Sequence, residues 1–132
     1  FGQDWPEPPR PFQFKITQPH FVDFGPNNPS PDRRAYLVSH GCDPDSTIRL
    51  NCSWSQGSQL YLFRSRARLT AATANDPAHY EFYTGGTPLW ADSVADAKPV
   101  ITWHNRIGSP TVSWSSHLNR FLLFCYPCFL KL

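Results

Sequence analysis

The sequence has no methionine, little glycine and no long apolar run. Its 132 residues include 7 glycines and 14 prolines, a balance that argues against long helices because proline breaks them. No stretch approaches the roughly 18 to 20 apolar residues of a transmembrane helix, so no membrane span is expected. Charged residues make up only 17%, with a net charge of +2. A nucleic-acid partner is therefore not expected, because such proteins cluster far more positive charge.

The chain also lacks methionine at position 1. We therefore expect it to begin inside a longer precursor, either because a signal peptide has been removed or because the sequence is a fragment. A chain of this length is expected to form one domain at most.

Aromatic residues, in contrast, are abundant. They make up 15% of the chain, as 5 Trp, 5 Tyr and 10 Phe. Such side chains carry a large apolar area each and suit the pleated surface of a sheet. Together with the many prolines, they predict an all-β domain of antiparallel hairpins and meanders, with one or two short helical turns.

Two of the four cysteines flank a turn-forming stretch. Cys42 and Cys52 lie on either side of residues 43–46, Asp-Pro-Asp-Ser. A local disulfide between them is expected, with a stabilisation of about 2 to 4 kcal/mol. Asn51-Cys52-Ser53 is also a sequon for glycosylation at Asn51. Both features are typical of oxidising compartments, so we expect a secreted, extracellular protein.

The other two cysteines, Cys125 and Cys128, have the spacing of redox and zinc motifs. A redox pair favours a helix N-terminus, which activates the thiol, but this pair follows a predicted strand. Zinc would need two more ligands, and no second pair of cysteines or histidines has suitable spacing. We therefore expect no metal and no other cofactor, and a structural or incidental role for these cysteines.

The chain divides into three parts. Residues 1–20 are rich in proline and predict an extended arm that crosses a surface. Residues 21–124 carry the strand and turn signals, and residues 125–132 form an atypical tail. Strands are predicted at 21–24, 35–39, 59–64, 80–83, 111–114 and 121–124. Helical turns are predicted after Asp76-Pro77, an acidic cap followed by proline, and within residues 91–98.

A hairpin unit occurs twice in the predicted domain. Ser53-Trp54-Ser55 leads through a short polar turn into the apolar run 60–63, and Ser113-Trp114-Ser115 leads through another into 121–124. This spacing is compatible with one blade of a β-propeller, in which each blade is a four-stranded antiparallel sheet. A β-sandwich that contains two hairpins explains the same pattern, so the pattern alone leaves both architectures open.

A series of short motifs gives a family resemblance across residues 21–124. In order they are Ser30-Pro31-Asp32, YLVSHG at 36–41, LYLFR at 60–64, Asn75-Asp76-Pro77, YEFY at 80–83, Pro88-Leu89-Trp90, TVSW at 111–114 and NRFLL at 119–123. The series resembles a family of secreted microbial and fungal proteins known as a domain of unknown function. That family is similar to the five-bladed β-propeller glycosidases.

The resemblance implies a carbohydrate-active protein that acts on polysaccharide. Five blades need far more than 132 residues, so the resemblance implies a partial propeller of two or three blades and a fragment or truncated form. The expected partner is a polysaccharide or other glycan. A secreted carbohydrate-binding or effector-like module without catalysis is the alternative.

Glycoside hydrolysis needs two carboxyl groups across the scissile bond, and two acids have a suitable context. Glu81 lies between Tyr80 and Phe82, whose rings could desolvate it and favour the protonated form that a general acid needs. Asp32 follows a proline-rich turn and precedes a strand, where a loop acid could reach a channel. The alternatives are a solvent-facing strand glutamate and an ordinary turn aspartate.

Sugar-binding candidates complete the predicted site. Trp90 follows Gly85-Gly86 in an irregular stretch, where an indole could stack on a sugar; Trp54 and Trp103 are further candidates, and a core position is the alternative for each. Arg64 and His40 could hold sugar hydroxyls. Arg64, Arg66 and Arg68 are spaced by two, so on a strand they would share one face, either as a phosphate-binding stripe or as a solvated strand face.

Overall fold

The computed structural model describes residues 16–26, 29–42, 57–74 and 76–126. These residues form eight strands and two 3₁₀ turns, so the expected all-β class is confirmed for the described part of the chain. The strands are β1 (His20–Asp23), β2 (Tyr36–Gly41), β3 (Gln59–Ser65), β4 (Tyr80–Tyr83), β5 (Trp90–Ala91), β6 (Pro99–Thr102), β7 (Thr111–Ser115) and β8 (Arg120–Phe124); the 3₁₀ turns are Pro77–His79 and Val94–Asp96.

The strands form one open, mixed sheet in the order β5-β4-β3-β2-β1-β7-β8, with β6 also paired to β3. Consecutive strands from β1 to β5 pair antiparallel, as an antiparallel meander requires. The exception to an all-antiparallel sheet is β1 with β7, which pair parallel. The described strands therefore join a meander to a separate hairpin, and propeller closure stays a prediction.

The second of the two predicted hairpin units is confirmed. In it, β7 and β8 pair antiparallel with Trp114 opposite Phe121. A turn over residues 116–119 connects them and ends at Asn119, which has a positive φ of 51°.

The first predicted hairpin unit lies partly outside the described residues. Residues 53–55 lie outside the described residues, and β3 pairs with other strands along both edges. One edge pairs with β2 over its length, and the other pairs with β6 and then β4. The equivalence of the two hairpin units therefore stays a prediction.

One side of the sheet, here called the core face, carries the main hydrophobic core. In adjacent strands Leu37 lies opposite Phe63, and Phe63 opposite Phe82. The two phenylalanine rings stack with their centroids 5.7 Å apart, and Tyr80 meets Phe63 edge-on. The other buried members of this cluster are Ile16, Tyr61 and Ala97.

The core includes part of the segment predicted as an arm. Ile16 is buried in it, and Thr17 donates a hydrogen bond from its hydroxyl to the His40 carbonyl at 2.7 Å. The backbone N–H groups of Thr17 and Gln18 both donate to Ser39 Oγ at 3.0 Å. The packed domain therefore begins by residue 16, and only residues 1–15, which lie outside the description, keep the interpretation of a surface arm.

The opposite side, here called the mixed face, is apolar at one end and charged at the other. Its apolar end packs Val38 and Leu60 against Ile107 from the segment between β6 and β7. Gly57 closes this end, because a Cβ there would lie 2.7 Å from both His40 Cδ2 and the Ile107 carbonyl oxygen. Only glycine lets the backbone approach so closely.

The short elements agree with the sequence in part. Asp76 caps the first 3₁₀ turn as predicted, its carboxylate accepting from the Ala78 N–H at 3.0 Å, with Pro77 as the first residue of the turn. The helix expected within residues 91–98 is only the second 3₁₀ turn. Strands β5 and β6 were not predicted.

Candidate functional site

The charged end of the mixed face begins with three side chains in neighbouring strands. The register places Tyr36 opposite Arg64, and Arg64 opposite Glu81. Residues that oppose each other in adjacent strands share a face of the sheet. A tyrosine, an arginine and a glutamate therefore lie side by side across β2, β3 and β4.

Glu81 is the centre of an ion-pair network. Its Oε2 accepts from Arg34 Nη1 at 2.8 Å and from Arg64 Nε at 2.9 Å. Arg66 Nη1 lies 3.6 Å from Oε1. The Glu81 side chain is 20% exposed, so water screens these pairs less than it would at an open surface.

Asp32 joins the network from the turn before β2. Its Oδ1 accepts from the Arg34 N–H at 3.2 Å, which fixes the turn. Its Oδ2 accepts from the Tyr36 hydroxyl at 3.0 Å and lies 3.4 Å from Arg64 Nη1. Asp32 therefore stabilises its turn, as the simpler interpretation of this residue expected, and also contacts the candidate site.

The exposed rim of the site is an ion pair between Arg66 and Asp92, with 2.6 Å between Nη2 and Oδ1. The Asp92 side chain is 79% exposed, so this ion pair contributes little to the stability of the fold. Arg64 and Arg66 share a side of the sheet, as their spacing predicted, and both face carboxylates.

Trp90 in β5 lies against Arg64. The guanidinium carbon is 4.2 Å from the centre of the indole, a cation–π contact. The indole also meets Tyr36 at 6.0 Å and Tyr83 at 5.9 Å, both edge-on. It is half-buried, so part of the ring remains accessible beside the charged network.

Arg64 keeps its charge in this setting. Desolvation by burial, the largest single influence, lowers the pKa of its guanidinium. Hydrogen bonds to Tyr36 and Glu81 and the attraction of the Glu81 carboxylate act the other way, and together they raise the pKa above its ordinary value. The site therefore presents a fixed positive charge between a carboxylate and an indole.

The structure brings four of the predicted site residues together and separates one. Asp32, Glu81, Arg64 and Trp90 all belong to one group of contacts. His40, predicted to hold sugar hydroxyls, is fully buried in the interior of β2 at 0% exposure. Its neighbour across the sheet is Leu60, so a sugar cannot reach it in this structure.

Several predictions fall on residues outside the description. Asn51, Cys52, Trp54 and Cys128 all lie there, so the Cys42–Cys52 disulfide and the glycosylation of Asn51 stay predictions. Trp103 follows β6 and is 42% exposed. It takes no part in the contacts of the candidate site.

The structure gives Glu81 a different environment from the one expected. The rings of Tyr80 and Phe82 lie in the core face, whereas Glu81 lies on the mixed face among arginines. Side chains alternate along a strand, so sequence neighbours point away from each other. The desolvation expected from Tyr80 and Phe82 is therefore absent, and the alternative geometry, facing away from both neighbours, describes Glu81.

Sequence reasoning missed Arg34, Tyr36 and Tyr83 as members of the site. A usable signal was present: positions 34 and 36, 64 and 66, and 81 and 83 each follow a two-residue period. Combined with the correct strand register, this period places them on one face. Register was the missing information.

Within the described ranges no group of three His, Cys, Asp or Glu side chains could hold a metal ion. The same residues contain no helix long and apolar enough to cross a membrane.

Comparisons with known proteins gave no matching family model, no matching curated protein and no matching solved structure. The resemblance to propeller glycosidases therefore stays an expectation from the sequence.

Proposed function

We propose that this chain is a secreted carbohydrate-binding protein whose site is built around Trp90 and Arg64. The observation that carries the proposal is the half-buried indole beside an arginine, a tyrosine hydroxyl and two carboxylates. Sugars offer a C–H face that packs on an aromatic ring and hydroxyl groups that both donate and accept hydrogen bonds. The indole of Trp90 can pack on the C–H face, and the arginine, tyrosine and carboxylates can bond the sugar hydroxyls.

The charges of the site favour a neutral or weakly charged ligand. Arg34, Arg64 and Arg66 face Asp32, Glu81 and Asp92 in contacts of 2.6 to 3.6 Å. Equal numbers of opposite charges leave no strong net field to attract an ion. They do hold the polar groups in fixed positions, which reduces the ordering cost of binding.

A catalytic role is the second candidate, because Asp32 and Glu81 converge on the same two arginines, Arg34 and Arg64. Glycosidases use such a carboxyl pair. The arginines, however, already occupy the carboxylate oxygens that catalysis would use. We therefore place binding before hydrolysis, and the release of reducing sugar from a polysaccharide panel, lost in both Asp32→Asn and Glu81→Gln, would reverse this order.

The extracellular setting in this proposal depends on the sequence, through the Cys42–Cys52 pair and the Asn51 sequon. Propeller architecture is likewise an expectation from the family resemblance. The described strands support it to the extent that β1 to β5 form an antiparallel meander.

Binding is tested on soluble glucan, xylan, arabinan and mannan by calorimetry and tryptophan fluorescence. We expect at least one of these glycans to bind the unmodified chain and Trp90→Ala to weaken that binding by about tenfold, or about 1.4 kcal/mol. Trp103→Ala is the matched control, because it removes an exposed indole elsewhere. Circular dichroism establishes that each variant is folded. Equal affinity in the two variants, or no binding by any panel glycan, contradicts the proposal.

A further inference from the structure

Trp90 belongs to a longer row of aromatic rings on the mixed face. Neighbouring centroids along the row are 5.0 to 6.0 Å apart. In order the members of this aromatic row are Tyr83, Trp90, Tyr36, Phe24, Phe121 and Trp114. The row therefore continues well beyond the site around Trp90 and Arg64.

The aromatic row runs across the strands rather than along them. Its members come from β4, β5 and β2, from the residue after β1, and from β8 and β7. A cross-strand aromatic pair stands at each end, Tyr83 with Trp90 and Trp114 with Phe121. Strand β3 contributes Arg64 instead of a ring, at its contact with Trp90. Each strand in the order from β5 to β8, or in the case of β1 the residue directly after it, thus supplies one side chain to a continuous line.

The rings do not form a flat platform. Neighbouring planes are inclined to each other by 58° to 83°. A crystalline polysaccharide surface needs coplanar rings to lie on, and no two neighbouring rings of this row are coplanar. A single chain that can turn its sugar faces from one ring to the next fits the inclined arrangement.

The apolar end of the row is partly exposed and lies beside a fixed turn. Phe121 is 43% exposed. Phe121 packs against Trp114. The backbone of Gly25 approaches Trp114 closely: a Cβ on Gly25 would lie 3.4 Å from Trp114 Cδ1, and the φ of Gly25 is +83°. Asp23 accepts from the Gly25 N–H at 2.7 Å and fixes this turn.

A glycan suits the aromatic row better than a peptide. Peptides that add to sheets run along an edge strand, with main-chain hydrogen bonds, whereas the row crosses the strands on a face. Hydrogen-bonding groups at the Trp90 end, from Tyr36, Asp32 and Arg64, suit sugar hydroxyls rather than an aliphatic surface.

We infer that the aromatic row is an extended binding site for an internal stretch of one soluble glycan chain, lying across the sheet from Trp90 to Trp114. The inference depends on the proposed carbohydrate-binding function and adds its ligand class: a single polysaccharide chain, as opposed to a crystalline surface or a terminal sugar. The Trp90 end is the primary contact, because it alone combines a ring with the arginine network.

The test is the dependence of affinity on ligand length, measured by calorimetry with the disaccharide and hexasaccharide of whichever panel glycan binds. We expect the hexasaccharide to bind at least about tenfold more tightly than the disaccharide. Phe121→Ala should remove most of this gain, because it truncates the row at the end far from Trp90. Trp90→Ala should weaken the binding of both oligosaccharides, and Trp103→Ala should weaken the binding of neither. Phe121→Leu, which keeps apolar bulk on β8 but removes the ring, guards against a folding defect.

The outcomes separate the two proposals. Disaccharide and hexasaccharide of equal affinity, both weakened by Trp90→Ala, overturn the extended site and leave carbohydrate binding standing. The extended site is also overturned if the hexasaccharide still binds more tightly than the disaccharide in both Phe121 variants, because the binding site would then end before β8. If neither oligosaccharide nor any polysaccharide of the panel binds, both proposals fail. Preferential binding to insoluble crystalline polysaccharide contradicts the single-chain ligand.

Discussion

Successive residues of the same strands point to opposite faces of the sheet, and the two faces differ in burial and polarity. On the core face, Leu37, Phe63 and Phe82 are adjacent and almost fully buried. On the mixed face, the residues just before or after them in sequence are Tyr36, Arg64 and Glu81, which are half-buried and charged or polar. The same backbone pairing therefore orders both sets.

This comparison assigns different tasks to the two faces. Apolar burial stabilises the fold roughly in proportion to area, and the core face supplies it through stacked rings. Charged side chains that are partly exposed add little net stability, but they fix the position of the polar groups around Trp90. Stability should therefore depend on the core face, and recognition on the mixed face. The following predictions test that division, beginning with the largest effect.

Neighbouring residues on opposite faces give the most direct test. Phe82→Ala should lower the free energy of unfolding by about 3 to 5 kcal/mol, because it leaves a cavity beside Phe63. Tyr83→Ala, one position later, should cost only about 1 kcal/mol, mainly the edge-on contact with Trp90. Urea unfolding of the two variants measures both quantities. Similar losses in the two variants would contradict the division between the faces.

The core face should also respond to high pH. Burial raises the pKa of Tyr61 to about 12, from an ordinary value of 10.0. The folded state therefore holds this proton more tightly than the unfolded state. The stabilisation is complete below pH 10 and is lost as pH rises toward 12, and its size is roughly 2 to 3 kcal/mol. Unfolding free energies measured across this range should fall accordingly.

The control for this prediction is Tyr61→Phe, which removes the titrating group but keeps the ring. Its unfolding free energy should decline less steeply than that of the unmodified chain above pH 10. Some decline should remain, because burial also raises the pKa of Tyr80 on the same face. Parallel curves for the two proteins would show that Tyr61 does not titrate as the structure requires.

The sequence predicted most of the described strands and missed two of them. The segment 80–83 was predicted with the bounds that β4 has, and the apolar runs in β2, β3, β7 and β8 were also identified. Strand β5 was missed, since two residues, Trp90–Ala91, cannot show an alternating pattern. Strand β6 begins with Pro99, which is a weak strand signal.

The candidate site was predicted as residue types but not as an arrangement. Asp32, Glu81, Arg64 and Trp90 were identified separately, and their contacts depend on the register between β2, β3, β4 and β5. Register is set by long-range pairing and the turns between strands, which one sequence does not reveal. His40 lies apart from these contacts, because β2 continues to Gly41 and buries it.

The charged network of the mixed face should make a smaller, salt-dependent contribution. Glu81→Gln keeps the shape of the side chain but removes the charge that Arg34 and Arg64 contact at 2.8 and 2.9 Å. We expect a loss of about 1 to 2 kcal/mol in unfolding free energy at low salt, because these hydrogen bonds are charge-assisted and partly shielded from water. Asp96→Asn, which removes an exposed carboxylate elsewhere, is the matched control and should change stability little.

Ionic strength then separates the two faces by mechanism. The cost of Glu81→Gln should shrink as salt rises toward about 1 M, where the screening length falls to about 3 Å. The cost of Phe82→Ala should not shrink, because burying apolar surface does not depend on charge. A Glu81→Gln cost that stays constant with salt would mean that Glu81 acts through packing. In that case the mixed face would share the structural task of the core face, and the preorganisation proposed for the sugar site would lose its electrostatic basis.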